Sequence, residues 1–197
     1  RQALGYSECL SCPSHQVVNS SGTGCVCDSA NNWVSASYGN GTIENNCCDT
    51  TTSTYFAASN SGSATYSAAC CMPGVQVFKY RWNSGGRYSY KQECCPIDRP
   101  YKVQDGTSNT SNTANPSTDV YCRKCPNATD TMVNGQCKSC EAAYPGQNRV
   151  ASYNSSLGYA QCVCPSQTWD TNGICKNCAQ LYGEGYTYTQ YGSGTHC

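Results

Sequence analysis

Residues 43–56 read "IENNCCDTTTSTYF". Two cysteines stand side by side, and a run of hydroxyl residues follows. The doublet recurs as Cys47-Cys48, Cys70-Cys71 and Cys94-Cys95, at intervals of 23 and 24 residues. Chain neighbours lie about 3.8 Å apart, whereas a relaxed disulfide holds its two Cα atoms about 5.5 Å apart. The members of a doublet therefore do not bridge each other. Each doublet reaches to two different places and rivets two strands or loops to a third, with bonds expected between doublets or into the flanking segments.

Composition explains why such rivets are needed. Of 197 residues only 20 are Leu, Ile, Val or Phe. That is about one in ten, and chains below roughly one in five usually fail to fold on apolar burial alone. The 19 cysteines supply the alternative, a disulfide scaffold. Closing a loop of about 15 residues stabilises by about 3 kcal/mol through the entropy removed from the unfolded chain. Disulfides at this density persist in oxidising surroundings, so an extracellular location is expected, secreted or at the cell surface. The opening "RQALGYSECL" has no apolar run of the signal-peptide kind, no stretch approaches a membrane span and no lipid-anchor tail is visible. The chain reads as mature or as a fragment, without direct membrane insertion. Twelve basic and twelve acidic residues cancel to zero net charge. No basic patch for nucleic acid and no polybasic strip for anionic lipid results. Self-association meets no net repulsion.

The C-terminal third repeats. Cys122/Cys125, Cys137/Cys140 and Cys175/Cys178 are C-x-x-C pairs, and Cys162/Cys164 is C-x-C. Cys137 to Cys175 and Cys140 to Cys178 are both steps of 38 residues, and "VNGQCKSCEAAYPG" matches "TNGICKNCAQLYGEG". The N-terminus carries a shorter form, Cys9/Cys12 followed by Cys25/Cys27, and "GCVCDS" echoes "QCVCPS". Pro13, Pro126 and Pro165 follow cysteines in the same way. On these pairs the array resembles the cysteine-rich surface glycoproteins of ciliates, of the immobilisation-antigen type. More broadly it is similar to growth-factor-receptor-like cysteine-rich repeats. The likeness covers residues 9–27 and 122–197 and implies an extracellular coat protein rather than an enzyme. The doublet region 47–95 departs from the pattern, as does the absent lipid-anchor tail.

An odd number of cysteines leaves one over. The last unit, "GSGTHC", stops at Cys197, where the repeat would place a second cysteine two residues on. Cys197 is therefore the candidate for an unpaired or intersubunit thiol, its partner lying either further along the chain or in another subunit. The other eighteen, from Cys9 to Cys178, are expected in disulfides.

The expected fold is small and disulfide-rich, mostly β hairpins and irregular loops with little helix, in an elongated array of modules. Four segments are expected: an N-terminal cysteine-rich module (1–46), a doublet module (47–104), a Ser/Thr/Asn-rich linker (105–121) and the tandem repeats (122–197). Within the doublet module, "VQVFKYRWNSGGRYSYKQE" signals a hairpin over 75–93. A loop of three or five residues, with a glycine at positive φ, would put Phe78, Tyr80 and Trp82 on one face with Tyr88 and Tyr90. Lys79, Arg81, Arg87 and Lys91 would share the other, the like-faced arrangement. Such an aromatic strip is most often core, but in a chain so poor in core it is a candidate interface. Tyr186, Tyr188 and Tyr191 in "QLYGEGYTYTQYG" form a second strip, since tyrosine suits half-wet surfaces. Replacing Tyr80 and Trp82 together by Ser is expected to weaken assembly more than folding.

Five N-x-Ser/Thr sequons, at Asn19, Asn40, Asn109, Asn127 and Asn154, are candidate glycan acceptors on surface loops. Two Ser/Thr/Asn-rich stretches read as solvated loops or as O-glycosylated segments. Their candidate acceptors are Thr50, Thr51, Thr52 and Thr54 in one, and Thr107, Thr110, Thr113 and Thr118 in the other. No cofactor beyond covalent glycans is expected.

Rival chemistries are weaker. Redox catalysis at a C-x-x-C needs a βαβ setting that is not visible. Zinc is the better rival, because Cys122, Cys125, Cys137 and Cys140 have the spacing of a four-thiolate site. The only histidines, His15 and His196, read as surface residues, and no phosphate loop or metalloprotease motif is present. The expectation is a non-enzymatic structural subunit of an extracellular glycoprotein coat or filament, self-associating with copies of itself through tyrosine-rich faces. The alternatives are a monomeric adhesive or receptor-like module for a protein or carbohydrate ligand and, less well matched, a small inhibitor or toxin array.

Overall fold

The opening stretch folds as a tight hairpin. Ile43–Glu44 pairs with Cys47–Asp49 in the register Ile43↔Cys48, Glu44↔Cys47, which leaves Asn45 and Asn46 as a two-residue turn. Their φ values, 49° and 60°, are left-handed, a backbone that Asn tolerates in this turn class. Cys47–Asp49 is also the middle strand of three, with Trp33–Ser35 on its other side. Successive side chains on a strand point to opposite faces. Cys47 and Cys48 therefore leave in opposite directions, Cys47 to Cys27 and Cys48 to Cys70.

The computed structural model describes residues 11–61, 64–84, 87–105, 121–191 and 194–197. Among these residues the chain is mostly short antiparallel hairpins, with two α-helices of four and five residues. Nine disulfides hold it: Cys12–Cys25, Cys27–Cys47, Cys48–Cys70, Cys71–Cys94, Cys95–Cys122, Cys125–Cys137, Cys140–Cys162, Cys164–Cys175 and Cys178–Cys197. Each bond joins a cysteine to the next one along the sequence. Among the described residues no disulfide loop encloses or crosses another. From Cys25/Cys27 to Cys175/Cys178, every close pair, whether C-C, C-x-C or C-x-x-C, closes one loop with its first member and opens the next with its second.

This order corrects the expectation for Cys197, which bonds Cys178. The repeat supplies the reason. Cys162 closes back onto Cys140 at the start of the first helix. Cys197 takes the place of Cys162 one repeat later and closes onto Cys178, at the start of the second. Cys9 lies outside the described residues.

Sulfur also fills the interior. One cluster of buried residues contains Ala69, Cys71, Val75, Phe78, Tyr80, Cys95, Tyr121 and Cys122, and a second contains Ala36, Cys48 and Cys70. Half-cystines are compact and apolar, so the same atoms supply both crosslink and core.

Two compact units are present, Arg1–Cys122 and Arg123–Cys197. The boundary expected at 46/47 falls inside the first, where Cys27–Cys47 and Cys48–Cys70 join the two sides covalently. The segment 105–121, expected as a linker, has both described ends in the first unit. Tyr101–Lys102 pairs with Cys122–Arg123, the Val103 amide donates to the Tyr121 carbonyl at 2.7 Å, and Tyr121 is buried.

The long hairpin corrects a second expectation. Val77–Ser84 pairs with Arg87–Cys94 from Val77↔Cys94 to Ser84↔Arg87. Only Gly85 and Gly86 separate the strands, an even loop rather than one of three or five. Phe78 and Tyr80 thus share a face with Glu93 and Lys91, while Lys79 and Gln92 lie on the other. Like-faced pairing is favoured where one face is dry and the other wet. Both faces are covered. Phe78 stacks on Tyr121 at 5.1 Å, and Gln92, also buried, donates to the carbonyls of Phe56 and Ala57.

The second unit holds two copies of one motif, in keeping with the 38-residue step. Thr131–Val133 pairs with Gln136–Lys138, and Trp169–Thr171 with Ile174–Lys176. Each hairpin turns on an Asn-Gly pair, Asn134-Gly135 and Asn172-Gly173, with φ positive throughout. Each then enters a short helix, Cys140–Ala143 capped by Ser139 and Cys178–Tyr182 capped by Asn177. A further hairpin follows each, Val150–Asn154 with Tyr159–Val163 and Thr189–Tyr191 with Gly194–His196.

Candidate functional site

The hydroxyl run after the first doublet builds a turn. The Asp49 carboxylate accepts from the Thr51 amide at 2.8 Å and from the Thr51 and Thr52 hydroxyls at 2.7 and 2.9 Å. These bonds, led by the Thr51 hydroxyl, hold the Asp49 carboxyl below its usual range. The Thr50 hydroxyl donates to the Asn32 carbonyl at 2.9 Å. Three of the four candidate O-glycan threonines here, Thr50, Thr51 and Thr52, thus spend their hydroxyls on the fold, and Thr54 sits half-buried at a strand start. Thr107, Thr110, Thr113 and Thr118 lie outside the described residues.

The sequons divide by environment. Asn40 is clamped. Its Nδ2 donates to the Cys95 carbonyl at 3.1 Å, and its Oδ1 accepts from the Met72 amide at 3.0 Å. It thereby ties its loop to two of the doublets. The other described sequons lie at turns. Asn19 closes a hairpin tip by accepting from the Thr23 amide at 3.0 Å. Asn127 is exposed and donates to Asp130 at 2.9 Å. Asn154 ends a strand and donates to Gln161 at 3.1 Å. Asn109 lies outside the described residues.

The aromatic candidates divide too. Phe78 is 0% and Tyr80 3% exposed, so these two are core, contrary to their candidacy as an interface. The Tyr80 hydroxyl donates to Glu93 at 2.5 Å, and burial together with that bond pushes it above the usual tyrosine range. Tyr90 is half-buried, edge-on to Tyr66 at 5.5 Å. The side chains of Trp82, Tyr88 and Tyr191 lie outside the described residues. Tyr186, in the second unit, is 53% exposed. Tyr182, which the sequence reading passed over, is 63% exposed and lies 5.6 Å from it, ring to ring. Tyr188 lies 6.2 Å from Trp169.

Two grooves follow. One of about 420 Å³ in the first unit is lined by Tyr38, Gly39, Asn40, Lys91, Glu93 and Cys94. Burial first, then Glu93, raises the Tyr38 hydroxyl pKa. One of about 520 Å³ in the second unit is lined by Trp169, Leu181, Tyr182, Tyr186 and His196, among others. It is an aromatic trough that suits flat apolar surfaces, including sugar faces or another protein's rings.

Other candidate chemistry is committed elsewhere. The cysteines that zinc would need are bonded, Cys122 to Cys95, Cys125 to Cys137 and Cys140 to Cys162. His15 stacks on Trp33 at 3.7 Å and contacts Glu44 at 2.9 Å. No described helix is long and apolar enough to cross a membrane. No protein family, curated protein or solved structure matches the chain.

Proposed function

We propose that the chain is a structural subunit of an extracellular glycoprotein coat or filament, of the kind its cysteine array resembles. The observation that carries this reading is the unbroken succession of cystines. Eighteen cysteines hold the shape covalently, a form that persists in the oxidising surroundings outside a cell and compensates for a small apolar core. Zero net charge and the exposed Tyr182/Tyr186 face support self-association through the second unit. Phe78 and Tyr80 take no part, because they are interior. Sugars on Asn19, Asn127 and Asn154 would cover the outward turns.

Sedimentation and electron microscopy of the oxidised protein test the proposal. Ordered polymers are expected, and Tyr182→Ser with Tyr186→Ser should weaken them while all nine disulfides still form, read as intact mass. A chain that stays monomeric at every concentration and binds a sugar or protein saturably would instead make it an adhesive module working through the aromatic trough.

A further inference from the structure

We infer that the chain is a tether of capped extensibility, whose length under load is set by its cystines rather than by its sheets. Pairing order sets this limit. Because each cysteine bonds the next one in sequence, a force applied at the ends travels through the disulfides and bypasses the loops they close. From Cys12 to Cys197 that path crosses nine disulfides, each spanning 5.2–5.8 Å between Cα atoms. Between them lie very short stretches of chain. There is one residue step at each of three doublets, two at each of two C-x-C pairs and three at each of three C-x-x-C pairs, sixteen steps in all.

Fully straightened, this path measures about 110 Å at roughly 3.6 Å per residue step. The same chain without crosslinks would reach about 670 Å at that spacing. The loops, whose closing cysteines lie 11 to 27 residues apart, bear no tension even if every hairpin in them melts. A nested or interlaced pairing would lack this property at the enclosed bonds. The load-bearing role deepens the proposed structural function and rests on it, whereas the length limit itself follows from the pairing alone.

Single-molecule pulling of the full chain, held by peptide tags at its two ends, tests the inference. Without reductant, extension between Cys12 and Cys197 should stop at about 110 Å. With dithiothreitol present, nine separate lengthening steps of about 35 to 90 Å should follow, in any order, one per loop. Extension by several hundred ångströms without reductant would overturn it. So would fewer, longer steps, in which one bond releases several loops together. Failure of the protein to polymerise leaves this result unaffected, so loss of the tether and loss of the filament are told apart.

Discussion

At Gly39 the chain passes so close to the second doublet that a Cβ would sit 1.7 Å from the Cys70 carbonyl oxygen, on a backbone with φ of +148°. Gly74 has φ of +79° with open space around it. Gly39→Ala should therefore disrupt the first unit, whereas Gly74→Ala should cost about 1 kcal/mol from backbone conformation alone. Calorimetry without reductant, together with the yield of fully oxidised protein, checks the pair. Asn40, the next residue, gives a second expectation. With both amide atoms holding backbone groups, Asn40→Ala should cost about 2 kcal/mol. Glycopeptide analysis should find Asn40 bare while Asn127 carries sugar. A glycan on Asn40 in folded protein would contradict this account of the loop. The sequon motif at Asn40 was plain in the sequence, but the Cys95 and Met72 partners that occupy it are distant along the chain and were not.

Among the elements, the long hairpin shows what a strand pattern leaves open. Its existence was legible from alternating residues around "NSGG". Its register was not, because period-2 patterning fixes a register only when one face is dry and the other wet. Here buried Gln92 donates its side-chain amide to the carbonyls of Phe56 and Ala57, and Lys79 reaches the Ser59 hydroxyl at 2.7 Å. Polar residues on the second face are packed rather than solvated. Phe78→Ala should accordingly cost about 4 kcal/mol, seen as loss of the first unit's melting transition rather than of assembly. The repeat hairpins carried a stronger signal, Asn134-Gly135 and Asn172-Gly173, readable from sequence alone. In the second of these the Asp170 carboxylate accepts from Arg149 at 2.5 Å and from the Gly173 amide at 2.8 Å. Those bonds, Arg149 first, hold its carboxyl below the usual range. Unfolded, the group regains a pKa near 3.9 and takes up a proton more readily than the folded one. Its stabilisation is thus full above that value and lost as pH falls through the lowered folded one. Melting of the second unit should drop on acidification below about pH 5, and Asp170→Asn should shrink that drop.

Across the described residues one rule organises the fold: every disulfide joins two cysteines that are consecutive in the sequence. The sequence showed that doublets must face two ways and that sulfur replaces an apolar core. It did not show which partners they choose, since spacing alone permits many pairings. The strands decide it. Alternation sends Cys47 backward and Cys48 forward, and hairpins bring successive cysteines within bonding reach. Loops that share no segment close independently in the unfolded chain, so each contributes its own stabilisation, about 3 kcal/mol for a loop of this size. The most direct test is a disulfide map of unreduced protein by partial reduction and stepwise alkylation, which resolves the two members of each doublet. It should find nine bonds, from Cys12–Cys25 to Cys178–Cys197, each between consecutive cysteines. Any bond that skips a cysteine, such as Cys25 to Cys47, would contradict the account.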